Sequence, residues 1–168
     1  TFTGDLIMAD GKGIDFAAYT DGSVAGTTTS QILKDYEEGT WIPEYRGSAG
    51  SAGSSSTTVT GARYTKIGRQ VSVNCYISWA NQGSWTGNVY LHGLPFTCAS
   101  DTSYPIAILA HKHNINFLGG TDIDAYVGNG GTSITFLEVN DDANVVPLDV
   151  SAFDNAGNAL MITASYSL

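Results

Sequence analysis

The clearest pattern in the chain is an alternation of apolar and polar residues between positions 71 and 79. Polar or amphipathic residues fill the even positions, and apolar side chains fill the odd ones: Val71, Val73, Cys75, Ile77 and Trp79. Successive side chains of a β-strand point to opposite faces, so this alternation predicts a strand with one buried and one solvated face. Gly68 lies in the tight turn expected just before it, where a positive φ is required. The buried face needs a second sheet to cover it.

Weaker alternation recurs along the rest of the chain and predicts an all-β protein. Apolar positions alternate in residues 88–94, 104–110, 122–127, 132–139 and 160–166, with a short strand interrupted by Pro147 between 145 and 150. Residues 128–131 read Gly-Asn-Gly-Gly, a strong hairpin signal, and residues 79–90 predict two neighbouring antiparallel strands. About eight short strands with turns between them indicate an antiparallel β-sandwich of jelly-roll type.

Two segments break this pattern. Residues 31–38 predict one or two helical turns that Gly39 ends. Residues 47–60 are rich in Gly, Ser, Ala and Thr, and we expect a mobile loop at an exposed edge because such residues bury little apolar surface.

The first residues are apolar but too few to form a core of their own. Leu6, Met8, Ile14 and Phe16 lie on short extended pieces, so we expect them to pack against neighbouring elements or against other copies of the chain. This predicts an extended N-terminal shaft or neck segment over residues 1–45 and a β-sandwich head over residues 46–168. The chain starts at Thr1 without an initiator Met, which suggests a processed protein or a piece of a longer one.

The composition of the chain argues against some classes of binding partner. Seven Lys and Arg face sixteen Asp and Glu, for a formal net charge of -9, so a nucleic-acid partner is disfavoured. No stretch approaches the roughly 20 apolar residues of a membrane-spanning helix, and we expect no membrane insertion. Cys75 and Cys98 do not form a disulfide framework, and we expect thiols rather than a bridge between them.

Several aromatic residues fall at positions predicted to be solvated, and their rings could stack on sugars while neighbouring polar groups bind hydroxyls. The alternative is that these rings pack on a second subunit or stand alone at the surface. The candidates for glycan binding are Tyr76, Trp85, Tyr90, Tyr104 and Tyr126.

His111 and His113 project from the same face if they lie on one strand. Three chains meeting on an axis would then place six imidazoles around one point, a suitable cage for a transition metal. The simpler interpretation is a pair of solvated histidines, and no other cofactor is indicated.

The sequence favours no catalytic site. The three histidines, His92, His111 and His113, accompany no nucleophile signature. Glu37 and Glu38 are adjacent and would diverge, which is a poor geometry for the paired carboxylates of glycoside hydrolysis.

Five short motifs follow one another in order along nearly the whole chain, at residues 11–16 (GKGIDF), 35–43 (DYEEGTWIP), 64–71 (YTKIGRQV), 93–96 (GLPF) and 162–166 (ITASY). This succession resembles the C-terminal region of tail-fibre and other virion structural proteins of tailed phages, especially marine phages and cyanophages. Ile42 departs from the Thr expected between Trp41 and Pro43.

The resemblance implies a homotrimer that ends a longer fibre. It would be assembled in the host cytoplasm, be located in the virion and be joined to the rest of the fibre and tail. The leading hypothesis is a non-enzymatic receptor-binding head that attaches to a bacterial surface glycan or outer-membrane protein. The alternatives are an architectural trimerising cap or virion decoration protein and, less favoured, a fragment of a polysaccharide-degrading tailspike.

Overall fold

The regular secondary structure in the part of the chain that the structure describes consists almost wholly of β-strands. The computed structural model of the protein describes residues 7–9, 12–15, 32–52, 56–101, 104–117, 119–140, 144–153 and 157–168. One 3₁₀ turn, Val150–Phe153, accompanies the strands. These are β1 (Ile14–Asp15), β2 (Ile32–Leu33), β3 (Glu37–Thr40), β4 (Glu44–Ser51), β5 (Ser56–Ile67), β6 (Gln70–Asn81), β7 (Ser84–His92), β8 (Ile106–His113), β9 (Asp122–Val127), β10 (Ser133–Val139), β11 (Val146–Pro147) and β12 (Asn158–Ser167).

Ten of the strands form one curled antiparallel sheet, and β1 and β2 pair separately. The order in the large sheet is β3-β5-β6-β12-β8-β9-β10-β7-β4, with β11 added beside β10. Tyr45 on β4 stacks on Trp79 on β6, with ring centroids 5.1 Å apart. Because β4 and β6 are far apart in the strand order, this contact means that the two halves of the sheet face each other. The architecture is therefore that of a β-sandwich.

Strand β6 lies at the centre of one half. It pairs with β12 along ten residues, from Gln70 opposite Ser167 to Trp79 opposite Asn158, and with β5 on its other edge. Its five alternating apolar residues are all buried, as the sequence predicts, with at most 4% of the surface of each exposed. Burial of each such side chain stabilises the fold by about 1.5 to 3 kcal/mol.

The core between the halves is aromatic at one end. Phe153, in the 3₁₀ turn, packs edge-on against Trp79 and Tyr45, with centroid distances of 4.6 Å and 5.5 Å. Such edge-to-face pairs are favoured by the quadrupoles of the rings. At the other end the hydroxyl of Tyr166 donates to the carbonyl of Phe96 at 3.1 Å.

Several sequence predictions are confirmed. Gly68 has a φ of 58° in the turn between β5 and β6. Strands β9 and β10 pair antiparallel around residues 128–131. On β12, Leu160, Ile162, Ala164 and Tyr166 are all buried. Cys75 and Cys98 are both free and buried.

The predicted helical turns at residues 31–38 are wrong. Ile32–Leu33 and Glu37–Thr40 are strands in the structure, and Gln31 lies outside the described residues. Strand β3 pairs with β5, Glu37 opposite Lys66 and Thr40 opposite Arg63. The weak helical preference of so short a segment is overridden by hydrogen bonding to a neighbouring strand.

The predicted loop at residues 47–60 is also mostly strand. Residues 47–51 belong to β4 and residues 56–60 to β5, while residues 53–55 lie outside the described residues. Small side chains allow the close approach of β4 to β7: a Cβ on Gly47 would lie 2.6 Å from the carbonyl oxygen of Thr86, and one on Gly50 2.2 Å from that of Ser84. The composition therefore reflects backbone packing as much as flexibility.

The predicted pairing of the strands around residues 79–90 is wrong. β6 hydrogen-bonds to β5 and β12, whereas β7 hydrogen-bonds to β10 and β4. Since both edges of β6 are already occupied, no edge is left for β7. The short turn after Asn81 carries the chain into the opposite half of the sandwich. In this turn the side-chain oxygen of Asn81 accepts a hydrogen bond from the Gly83 amide at 2.7 Å.

The N-terminal residues are described in part. The sandwich reaches back to β3 at Glu37, and Trp41 and Tyr45 are core residues. Met8 and Ile14 are 44% and 47% exposed, whereas Leu6 and Phe16 lie outside the described residues. No helix in the described part of the chain has the length and apolar character needed to cross a bilayer.

The first prediction concerns the β6 row. Ile77→Ala, at a side chain that is 1% exposed, is expected to lower the free energy of unfolding by about 2 to 5 kcal/mol because it leaves a cavity that the core cannot fill. Ser72→Ala, on the solvated face of the same strand, is the control and is expected to change it by less than about 0.5 kcal/mol. Denaturant unfolding measures both. Equal effects of the two substitutions would contradict the assigned faces of β6.

Candidate functional site

A row of outward-facing side chains crosses one face of the sandwich. Residues directly opposite one another in a sheet point to the same side. The register places one residue from each of five neighbouring strands, β8, β9, β10, β7 and β4, in this row: Ile106, Tyr126, Thr135, Tyr90 and Arg46. We call these five residues the tyrosine row.

Two further rings extend the row. Tyr104 packs edge-on against Tyr126 with centroids 5.3 Å apart, and Tyr104 is 61% exposed. His92 lies two residues beyond Tyr90 on the same face, and their ring centroids are 6.0 Å apart. Because strands are spaced about 4.8 Å apart, Tyr126 and Tyr90 lie about 10 Å from each other with Thr135 between them. The face thus offers two aromatic platforms that flank a hydroxyl.

The end of the row on β4 is charged and compact. Arg46 donates to Glu44 at 2.5 Å, and Glu44 lies opposite His92 in the register. Partial burial lowers the pKa of His92, the nearby guanidinium of Arg46 lowers it further, and the carboxylate of Glu44 opposes this shift. The imidazole therefore stays neutral to a lower pH than usual and can both donate and accept hydrogen bonds near neutrality.

The structure brings together three of the five predicted aromatic candidates. Tyr90, Tyr104 and Tyr126 share the face described above. Tyr76 is on β6, in the opposite half of the sandwich, beside Met161 on β12. Trp85 packs partly against the core, and no hydrogen-bond partner for its indole Nε1 is found among the described residues. These two residues do not contribute to the row.

His111 and His113 do lie on one strand, near the end of β8. Their rings are nearly parallel, at 9°, with centroids 6.0 Å apart, and both residues are exposed. Nδ1 of His113 lies 3.0 Å from the carbonyl oxygen of Gly157, so in the tautomer that donates this bond Nε2 is free to bind a metal. Within the described ranges no group of three His, Cys, Asp or Glu side chains could hold a metal. Completion of the predicted cage therefore requires residues from other copies, and it stays a prediction.

The two adjacent acidic residues of β3 diverge, as expected of neighbours on a strand. The hydroxyl of Tyr64 donates to the carboxylate of Glu37, while the hydroxyl of Tyr36 donates to that of Glu38 at 2.5 Å. Each carboxylate is thus engaged with a different tyrosine.

Sequence reasoning did not identify Thr135, Arg46 and His92 as parts of the candidate site. They join it through the pairing of β10 with β7 and of β7 with β4, strands that are not consecutive in the chain. Alternation along each strand indicates which residues are solvated but not which strands are neighbours. The Glu44-Tyr45-Arg46 spacing was the one available signal, because it places both charges on the solvated face of a strand whose middle residue is apolar.

Comparison with known proteins adds no relative: no family model matches the chain, and a search of curated proteins finds no match.

The second prediction concerns His92. Its titration by ¹H NMR is expected to show a pKa below the ordinary value of 6.5. Arg46→Gln is expected to raise this pKa by removing a nearby cation, and Glu44→Gln to lower it by removing an anion. Shifts in the opposite directions would contradict the arrangement at this end of the row.

The lowered pKa of His92 also determines how the stability of the protein changes with pH. Because the unfolded state holds the His92 proton more tightly than the folded state, stability is full above pH 6.5 and declines as the pH falls towards the lowered pKa. His92→Gln is expected to remove this contribution from the pH dependence of unfolding.

Proposed function

We propose that the chain forms the distal domain of a trimeric phage tail fibre or receptor-binding protein and attaches to a bacterial surface glycan without catalysing a reaction. The observation that carries the proposal is the tyrosine row, with Tyr126 and Tyr90 on either side of Thr135. The resemblance of the ordered motifs to tail-fibre proteins suggests the biological setting of this proposal, in which the domain is part of the virion and its target is the host surface.

The chemistry of the row suits sugars. Exposed aromatic rings stack on the apolar faces of pyranoses, and hydroxyl, imidazole and guanidinium groups bond their hydroxyls. Thr135, His92 and Arg46 supply such groups within one or two residues of the rings. The row belongs to paired strands, which hold side chains more precisely than a loop and lower the entropic cost of binding.

The exposed apolar residues of the N-terminal part support a trimer. The small β1–β2 sheet pairs Ile14 with Leu33, and the side chains of both, together with Ile32, are almost half exposed, at 45 to 47%. Three copies around one axis would bury these residues, which a single chain leaves in water. The division into a shaft segment at residues 1–45 and a head at residues 46–168 stays a prediction, with the sandwich already beginning at Glu37.

The jelly-roll type of the head also stays a prediction. The crossing of the chain between halves at β6–β7 is a feature of jelly rolls, whereas the hairpins β5–β6 and β9–β10 keep consecutive strands adjacent.

An apolar surface that adjoins the tyrosine row, and shares Ile106 with it, favours the architectural alternative. Ile106 and Ile108 on β8 are 69% and 54% exposed, and Met161 on the neighbouring β12 is 45% exposed. Such a surface is suited to contact with another virion protein. In this alternative the domain is a trimerising cap or decoration protein that binds no receptor.

The third prediction tests attachment. Tyr126→Ala and Tyr90→Ala are each expected to weaken binding of the purified protein to susceptible cells, or to a glycan identified on an array, about tenfold, which corresponds to about 1.4 kcal/mol. The control is Tyr36→Ala, because Tyr36 is an exposed tyrosine, at 64%, that directly precedes β3, and β3 lies far from β9 and β7 in the strand order. Equal loss in all three variants, or no binding by the wild type to any susceptible host, would favour the cap.

The fourth prediction concerns assembly. Native mass spectrometry is expected to find a particle of three times the 17.6 kDa chain mass, because the apolar N-terminal residues require sister copies. A stable, folded monomer in dilute solution would contradict the trimer. The same spectrum tests the histidine cage, since a bound iron, nickel or zinc ion adds its own mass and is expected to be lost from His111→Ala.

A further inference from the structure

A groove at one end of the sandwich gathers a large share of the protein's positive charge. Its volume is about 720 Å³. Segment 32–35, the β5–β6 turn and Leu168 form its walls. Three of the seven Lys and Arg residues of the chain line it: Lys34, Lys66 and Arg69.

These three cations outnumber the acids beside them, with Glu37 lying opposite Lys66 in the pairing of β3 with β5. The two ion pairs found among the described residues use Arg46 and Lys112, which lie elsewhere. Asp35 is the one acidic side chain among the described residues that line the groove. In a chain with a net charge of -9, such a local excess of positive charge is unusual, and it attracts an anion.

The backbone holds the three cations in a defined arrangement. The carbonyl of Lys34 accepts a hydrogen bond from the Gly68 amide at 3.1 Å, and the carbonyl of Arg69 accepts one from the Leu168 amide at 2.9 Å. The Lys66 ammonium lies 5.6 Å from the centre of the Phe96 ring, within the range of a cation–π contact. The elements that carry the three charges are thus tied together before any ligand binds, which lowers the cost of binding.

We propose that this groove binds the carboxylate or phosphate group of an acidic sugar in a bacterial surface polysaccharide. Arg presents a planar fork that matches both anions, and Lys supplies further donors. The volume is in the range of small-molecule sites and suits a short oligosaccharide. A long nucleic acid is a poor candidate, because the rest of this acidic surface would repel it.

The inference rests on the proposed function and narrows it: the receptor is an acidic glycan whose carboxylate or phosphate group binds the cations of the groove. Attachment through the tyrosine row requires only sugar rings and hydroxyls. Mutations can therefore disrupt one surface without the other. An acidic polysaccharide offers sugar rings and hydroxyls to the tyrosine row and an anionic group to the groove.

The fifth prediction uses ¹⁵N-labelled protein of the full chain, titrated at low salt with trigalacturonic acid. The amides of Gly68 and Arg69 are expected to shift, whereas maltotriose, a neutral trisaccharide, is expected to leave them unchanged. Glucose 6-phosphate in place of the uronide distinguishes a phosphate source of the anion from a carboxylate source. Raising the salt concentration is expected to weaken binding, because the groove is open to solvent.

Charge-removing variants locate the site. Lys66→Gln and Arg69→Gln are each expected to weaken trigalacturonate binding roughly threefold to tenfold. Arg63→Gln is the matched control, since it removes the same charge from β5 outside the groove and is expected to leave the affinity unchanged. Thermal unfolding of each variant verifies its fold, and Arg69, which is exposed, provides a test in which the core is untouched.

The outcomes separate this inference from the proposed function. If cells are bound through the tyrosine row but neither trigalacturonic acid nor glucose 6-phosphate shifts Gly68 and Arg69, the anion site is overturned and attachment stands. If the acidic ligands bind but no susceptible cell does, the groove is real and the attachment role is overturned. Equal weakening by Arg63→Gln would overturn the assignment to the groove.

Discussion

The fold depends on covering the apolar row of β6. This strand is hydrogen-bonded on both edges, to β5 and β12, so its backbone is satisfied within one half of the sheet. The alternating apolar side chains from Val71 to Trp79 must then be covered by other apolar groups. Tyr45 from the opposite half and Phe153 from the 3₁₀ turn help to cover them by packing against Trp79. The curl of the sheet follows from this constraint, because a flat sheet of the same strands would leave the row in water.

The same constraint explains why the candidate binding groups lie where they do. Because one face of each strand is committed to the core, the other face is free to carry Tyr126, Thr135 and Tyr90 in register across three strands. The cationic groove arises at the end of the sandwich, where the β5–β6 turn leaves Lys66 and Arg69 beyond the hydrophobic layer. The tyrosine row thus offers aromatic rings beside hydroxyl, imidazole and guanidinium donors, whereas the groove offers three cations.

Much of the fold could be predicted from local patterns. Alternation identified β6 and β12, the Gly-Asn-Gly-Gly sequence identified the β9–β10 hairpin, and Gly68 marked its turn correctly. Predictions failed where the pairing of strands distant in sequence determines the structure. Most of segment 47–60 is strand because its small residues fit closely beside β7. β7 does not pair with β6 because both edges of β6 are already occupied. The tyrosine row could be predicted only in part, since Tyr126 on β9 and Tyr90 on β7 are brought to one face by β10, and β7 is distant from β9 and β10 in sequence.

The position of β12 determines when the sandwich can close during synthesis of the chain. The last described strand, Asn158–Ser167, lies in the middle of its half, between β6 and β8. A nascent chain that still holds this segment inside the ribosome has no neighbour for the free edge of β6 and cannot join it to β8. The sandwich therefore closes only after nearly all of these residues have been synthesised, and until then the edges of β6 and β8 are open to pairing with the wrong strand.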